Sequence, residues 1–197
     1  MQSHSESPET GLRALIRADL DAMREGSVLN GARILARLAL HARWRAVVAW
    51  RFANASMRHP LTKPLGLWLA DRILSSSGAE LQPGATIGPG VVLKHTTGVV
   101  VGREVIAGAR LTLHQNVTVG DKHPFGGQPV LGDDVTIGAG ACVLGPIEVG
   151  DRVTIAANAV VTNRVPSDCL VAGVPARIVR HRGAPITPSL HVVGSSQ

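Results

Sequence analysis

Aliphatic residues recur at every sixth position through the second half of the chain. Leu131, Ile137, Val143, Val149, Ile155 and Val161 keep a strict spacing of six, and Val135, Ala141, Ile147, Val153 and Ala159 stand two residues before the last five. The same clock runs upstream through Val101, Ala107, Leu113 and Val119, led by Val99, Val105, Leu111 and Val117. Further back Ile87 and Leu93 keep the count, led by Ala85 and Val91. Six residues are too few for a helical repeat, and the period does not match a 3.6-residue helix. It fits short strands joined by tight turns, with Gly supplying the turn dihedrals and aliphatics stacked inward coil over coil. Each coil buries its apolar face only against its neighbours, so stability grows by nearest-neighbour stacking. Twelve such units predict a parallel β-helix of roughly four three-sided coils over residues 79–179, because a flat sandwich would not hold one phase for that length.

Before residue 79 the pattern is helical. "SPETGLRALIRADLDAM", with Pro8 early and Leu12, Leu15, Ile16 and Leu20 at helical spacing, predicts a first helix. "NGARILARLALHARWRAVVAWRFANASMRH" predicts one long amphipathic helix with Asn30 as its cap. In it Arg33, Arg37, Arg43, Arg45 and Arg51 alternate with Ile34, Leu35, Leu38, Trp44, Val48 and Phe52. A shorter helix follows through "TKPLGLWLADRIL", and "SSSG" at 75–78 closes this part. The expected organisation is a helical region over 1–78, with 1–8 disordered, the repeat domain over 79–179, and a tail over 180–197.

The clock breaks twice, and breaks in a solenoid are where function projects. The step from Leu93 to Val101 is eight, so two extra residues bulge outward beside His95 in "LKHTTGVVVG". The step from Val119 to Leu131 is twelve, with no usable inner aliphatic at 125, in "VGDKHPFGGQPVLGDD".

Composition agrees with narrow coils, since the 197 residues include 22 Gly, two Phe, three Trp and no Tyr. That length supports one domain with a helical appendage. Cys142 and Cys169 make neither a disulfide framework nor a metal spacing, and read as reduced thiols of a cytoplasmic protein. No apolar run reaches the roughly 18 residues of a membrane span, and the polar start "MQSHSESPET" is unlike a signal peptide.

The net charge of +6 is unevenly placed. Residues 1–78 carry eleven Arg/Lys against six Asp/Glu, residues 79–179 seven against eight, and no acid stands between Gly26 and Ala70. The basic helix predicts a solvated charged face, or a peripheral contact with an anionic membrane or acidic partner. Nucleic acid is not expected, because no motif for base or phosphate recognition accompanies the charge.

Between 79 and 179 the chain resembles the hexapeptide-repeat acyltransferases, and within them the serine acetyltransferases and their shorter polysaccharide-modifying relatives. The resemblance rests on "QPGATIGPG", "KHTTGVVVG", "QNVTVG", "VTIGAGACVLGPIEVGDRVTIAANAVVTNRVP" and "VAGVPARIV", and "LIRADLDAM" is similar to the family's helical lead-in. It implies a left-handed coil, a homotrimer with active sites between subunits, acetyl-CoA as donor and no metal.

The implied chemistry needs a neutral His to take a hydroxyl proton as the oxygen attacks a thioester, and a carboxylate to fix its tautomer. His95 in "KHTTG" stands where the family has its catalytic His, and Glu80 in "AELQP" where it has the orienting Asp. Lys94 replaces the Asp that helps hold a substrate ammonium, which points to an acidic or neutral acceptor. "DKHP" copies the family's Asp-Arg-His-Pro, yet His123 stands eight residues before Leu131, whereas Gln128 stands at the family distance of three. Counting back from Leu131 assigns the acceptor-facing position to Gln128, with His123 as the alternative and His114 a turn residue on the outer face. For the donor the resemblance points to Ala139 and Gly140 in "IGAGA", Ala157 in "IAANAV", and Arg177 in "AGVPAR" as a partner for a CoA phosphate. The same small residues also serve simply to turn the coil.

The expected activity is therefore acetyl-CoA-dependent O-acetylation of the serine acetyltransferase type, by direct attack of the hydroxyl of serine or a serine-like small molecule. Two alternatives stand beside it: acetylation of a sugar, polysaccharide or secondary-metabolite hydroxyl, and a non-catalytic scaffold. The tail "HVVGSSQ" lacks the terminal Ile with which many serine acetyltransferases dock on their partner synthase, so no cysteine synthase complex is expected.

Overall fold

The computed structural model describes residues 11–24, 26, 28, 30–181 and 184–185, so the expected disorder of 1–8 and most of the 180–197 tail lie outside the described residues. Helices α1 (Leu12–Ala22), α2 (Gly31–Leu40), α3 (Ala42–Ser56) and α4 (Lys63–Ser77) come first. Strands β1 (Glu80–Leu81), β2 (Thr86–Ile87) and β3 (Val92–Leu93) form the first coil, and β4 (Val100–Val101), β5 (Ile106–Ala107) and β6 (Thr112–Leu113) the second. The third holds β7 (Thr118–Gly120), β8 (Val130–Leu131) and β9 (Thr136–Ile137), and the fourth β10 (Cys142–Leu144), β11 (Glu148–Val149) and β12 (Thr154–Ile155). β13 (Val160–Val161) and β14 (Cys169–Ala172) open a fifth coil, and β15 (Arg177–His181) and β16 (Ala184–Pro185) fold back antiparallel.

The result is a left-handed parallel β-helix with three faces. The first face stacks β1-β4-β7-β10-β13, the second β2-β5-β8-β11, and the third β3-β6-β9-β12-β14 with the terminal hairpin. Registers show the clock directly. Val100 pairs with Thr118 and Cys142 with Val160, eighteen residues apart, whereas Glu80 pairs with Val100 and Thr118 with Cys142. The first coil is thus two residues longer than a regular one, at the His95 turn. The third is six longer, at the loop over 121–129.

The six-spaced aliphatics all point inward and are buried, and of their leading partners only Ile147 stays half exposed. Stacking this tight needs glycine at some turns: a Cβ on Gly138 would lie 2.7 Å from the Ala157 nitrogen. Side-chain oxygens cap the turns of the coil before them, as Asp133 accepts from the Ala109 N–H (2.8 Å), Asp151 from Asp133 (2.9 Å) and Ser167 from Asp151 (3.0 Å). Hydrogen bonds from Arg110 to Asp134 and from Arg152 to Asp168 raise the pKa of both guanidinium groups further.

The basic segment is two helices, not one. His41 takes an extended conformation (φ −115°, ψ 113°) between α2 and α3. The apolar stripe signals the break: Leu38 to Trp44 is a step of six, which a continuous helix would place on different sides. Arg45 then donates to the carbonyls of Leu38 (3.1 Å) and Ala39 (2.6 Å), satisfying the end of α2. Asn30 caps α2 as expected, accepting from the Arg33 N–H at 2.9 Å.

Arg51 also departs from the solvated basic face. It is buried, paired with Asp19 at 2.7 Å, and donates to the carbonyls of Ile87 (2.6 Å) and Gly88 (2.7 Å). Asp19 in turn accepts from the Gly90 and Val91 N–H groups, each at 2.9 Å. This clamp joins α1, α3 and the first coil, beside the buried Trp44 and Trp50. Leu35 and Phe52, expected on the apolar stripe, remain exposed. The "SSS" segment belongs to α4, which ends only at Gly78 in a left-handed conformation (φ 70°).

Candidate active site

The two extra residues after β3 make an exposed turn over Lys94–Thr97, anchored by Lys94 N–H to the Leu113 carbonyl (2.9 Å) and Gly98 N–H to the Gly78 carbonyl (2.9 Å). The turn faces the α2–α3 junction across a cleft of about 370 Å³, lined by Leu40–Arg43 and Lys94–Thr97. His95 is therefore an accessible imidazole in a small cleft, with Lys94 beside it. His41 and Arg43 were not foreseen here. The phase slip after Leu38 was the available signal, since the break it marks carries them to the cleft.

Glu80 lies on the outward side of β1, in register with Val100 just after the His95 turn. Its carboxylate is half-buried and accepts from Gln82 Nε2 at 2.8 Å rather than from a His95 ring nitrogen.

His95 heads the edge of the prism between the third and first faces. Each turn along that edge bonds to the one before it: Asn116 N–H to the Thr97 carbonyl (2.9 Å), Gly140 to Gln115 (3.0 Å) and Asn158 to Ala139 (2.8 Å). The predicted donor residues Ala139, Gly140 and Ala157 thus fall in line below His95, with Gly140 at φ 71° and Ala157 exposed. From the His95 turn to the Ala157 turn is three coil spacings, roughly 14 Å at ~4.8 Å per strand. Arg177 stands at the foot of this edge. It lines a second cleft of about 380 Å³ with Asn163 and Arg164, the last a residue the sequence did not single out. His114 lies half-buried on the same edge, as a turn residue whose N–H bonds the Ile137 carbonyl (3.1 Å).

The long loop leaves from the opposite edge of the first face, between β7 and β8. Gln128 spends its side-chain oxygen on the Glu104 N–H (3.0 Å), in the same turn of the second coil where Gln82, from the first coil, accepts from the Arg103 N–H (3.2 Å). His123 is exposed, its carbonyl accepting from Gly126 N–H at 2.9 Å, and Phe125 at the tip is fully exposed with φ 60°. Within one chain, neither Gln128 nor His123 lines the His95 cleft. Among the described residues no group of His, Cys, Asp or Glu could hold a metal ion, and both cysteines are free thiols. No described helix is long and apolar enough to cross a membrane.

A projecting histidine at the head of a small-residue edge on a left-handed β-helix defines a hexapeptide-repeat acyltransferase. The family described as bacterial transferase hexapeptide (six repeats) matches residues 128–163. Serine acetyltransferase from Synechococcus elongatus is 36% identical over 172 residues, covering 85% of this chain and 68% of the relative. Serine acetyltransferase 2 of Arabidopsis thaliana is 33% identical over 87% of this chain, which spans about half (53%) of that relative. The structure of soybean serine acetyltransferase complexed with serine superposes with a TM-score of 0.76 at 36% identity, covering 85% of this chain and 69% of the soybean chain. The chain belongs to the serine acetyltransferase family, whose members use acetyl-CoA.

Proposed function

We propose that the protein transfers an acetyl group from acetyl-CoA to the hydroxyl of a serine-like small molecule, with His95 as the base. One observation carries this: an accessible His95 in a cleft of acceptor size, at the head of an edge fitted to an extended thioester donor. Exposed Ala157 and the half-buried Ala139–Gly140 turn leave room for a pantetheine arm, and Arg177 supplies a guanidinium group for phosphate. The neutral imidazole takes the hydroxyl proton as the oxygen attacks the thioester carbonyl carbon. The C–S bond then breaks, and the imidazolium returns its proton to the departing thiolate. In this reading Glu80 leaves Gln82 and steadies that imidazolium.

Serine, which the soybean relative binds, is the first acceptor to assay. Replacing His95 with Ala is expected to abolish thiol release from acetyl-CoA with every acceptor while leaving the unfolding temperature unchanged. Turnover at the native rate would remove His95 from the mechanism, and a native protein that releases no thiol under any condition would be a scaffold. Lys94 in the cleft favours a second reading in which the hydroxyl belongs to a sugar or other metabolite.

A further inference from the structure

The helical region keeps an apolar face uncovered. Leu38 of α2, Val48 and Phe52 of α3, and Leu65 and Leu69 of α4 line an open groove of about 520 Å³, with Arg45 at its rim. Its floor is α3, whose coil-facing side is fixed by Trp50 and Asn54. These donate to the carbonyls of Gln82 (3.4 Å) and Ala85 (2.9 Å). Phe52 is two positions from each and so stands nearly opposite them around the helix. The groove therefore opens away from the coils, and subunits that pack coil against coil leave it open. The apolar surface continues over the shoulder of α4, where Trp68 follows Leu65 by three positions. Trp68 is 57% exposed, whereas Trp44 and Trp50 are 0% and 1% exposed.

The charged side chains set among these apolar groups are basic. No acid stands between Gly26 and Ala70, and none lines the groove. Arg45 donates to the Leu38 and Ala39 carbonyls. Arg72 comes three positions after Leu69 and four after Trp68, on the same side of α4. Among the described residues neither arginine pairs with a carboxylate. Asp71 stands beyond Trp68, nearly opposite Leu69 around the helix.

We infer that this face docks on an anionic membrane surface, with acyl chains against the groove, Trp68 at the headgroup boundary, and Arg45 and Arg72 among the lipid phosphates. Two features select this occupant. A second copy of the chain would set Arg45 and Arg72 against their own kind across a twofold contact. A rigid protein partner would have to match a groove and a convex shoulder at once, whereas fluid acyl chains enter the first and headgroups cover the second. No described helix is long and apolar enough to cross the bilayer, so the contact is peripheral.

Trp68 is the reporter, because the other two tryptophans are already buried. The full-length protein should co-sediment with mixed phosphatidylglycerol–phosphatidylcholine vesicles, and its tryptophan emission should shift to the blue. Phosphatidylcholine vesicles should bind at least about tenfold more weakly, and about 0.5 M salt should reverse most of the anionic binding. Arg72→Ala should weaken anionic binding about fivefold, and Trp68→Phe should keep binding while losing the shift. Leu65→Ser combined with Trp68→Ser should weaken it about tenfold or more, with unfolding temperatures confirming that each variant folds. The inference is overturned by absence of binding to the anionic vesicles, by equal binding to both kinds, or by anionic binding that the Leu65/Trp68 double substitution leaves intact. Self-association in lipid-free solution that the same double substitution abolishes would also overturn it, because a second copy would then cover the face. Neither readout needs turnover, so failure of the acetyl-transfer reading would leave the docking result standing.

Discussion

Gln128 shows how a residue can keep its place in a pattern and serve the fold. It occupies the position that the six-residue clock predicts, and its oxygen accepts from Glu104 in the Gly102–Glu104 turn, which Gln82 holds from the coil before through the Arg103 N–H. That bond accounts for a glutamine at this position without an acceptor. Cys169 is a second residue whose chemistry is set by packing. Burial pushes its thiol pKa above the ordinary 9.0, and the negative charge of Asp168 adds to the shift. The folded state therefore holds the thiol proton more tightly than the unfolded chain does. This contribution is intact below pH 9.0 and is lost as pH rises through the folded value. Urea titrations at a series of alkaline pH values should show stability falling more steeply above pH 9.0 in the native protein than in Cys169→Ala. Equal slopes would mean that the thiol does not contribute.

At the scale of elements, the coils were legible and the helical region was only partly so. An inward aliphatic must recur in phase or the coil cannot close, so Ile87 through Val161 announce both the strands and the two places where the phase slips. The Asp19–Arg51 clamp has no such periodicity. Its partners are 32 residues apart and its acceptors lie in the first coil, so Arg51 reads in the sequence as one more exposed base. Asp19→Ala would leave the Arg51 charge buried and unpaired and strand the N–H groups of Gly90 and Val91. It should cost about 3–5 kcal/mol in equilibrium unfolding. A loss below about 1 kcal/mol would show that water or another carboxylate takes over the site. The His41 break is an intermediate case, written in the Leu38–Trp44 phase slip but invisible to a count of charged and apolar residues.

At the scale of the whole molecule, the two breaks in the clock lie on opposite edges of the first face. His95 projects between the third and first faces, and the 121–129 loop projects between the first and second. The full width of a sheet face therefore separates the base from His123 and Phe125 in a single chain. No reading of spacing alone could show this, because the distance depends on how the coil turns. We propose a homotrimer in which the loop of one subunit completes the His95 cleft of its neighbour. The exposed Phe125 tip and accessible cleft are the two halves of that contact. Two inactive variants then become a test: His95→Ala, which keeps its loop, and a variant lacking residues 122–127, which keeps its His95. Alone each should release no thiol. Co-expressed in equal amounts, three trimers in four contain both chains, and each such trimer has one junction where an intact His95 meets an intact loop. Thiol release should return to roughly a quarter of the native value per trimer, in a complex that sediments as three chains. If the loop served its own subunit, no mixture could restore a site. Activity staying at the level of the separate variants, in trimers shown to contain both chains, would place the loop and the base in the same protomer.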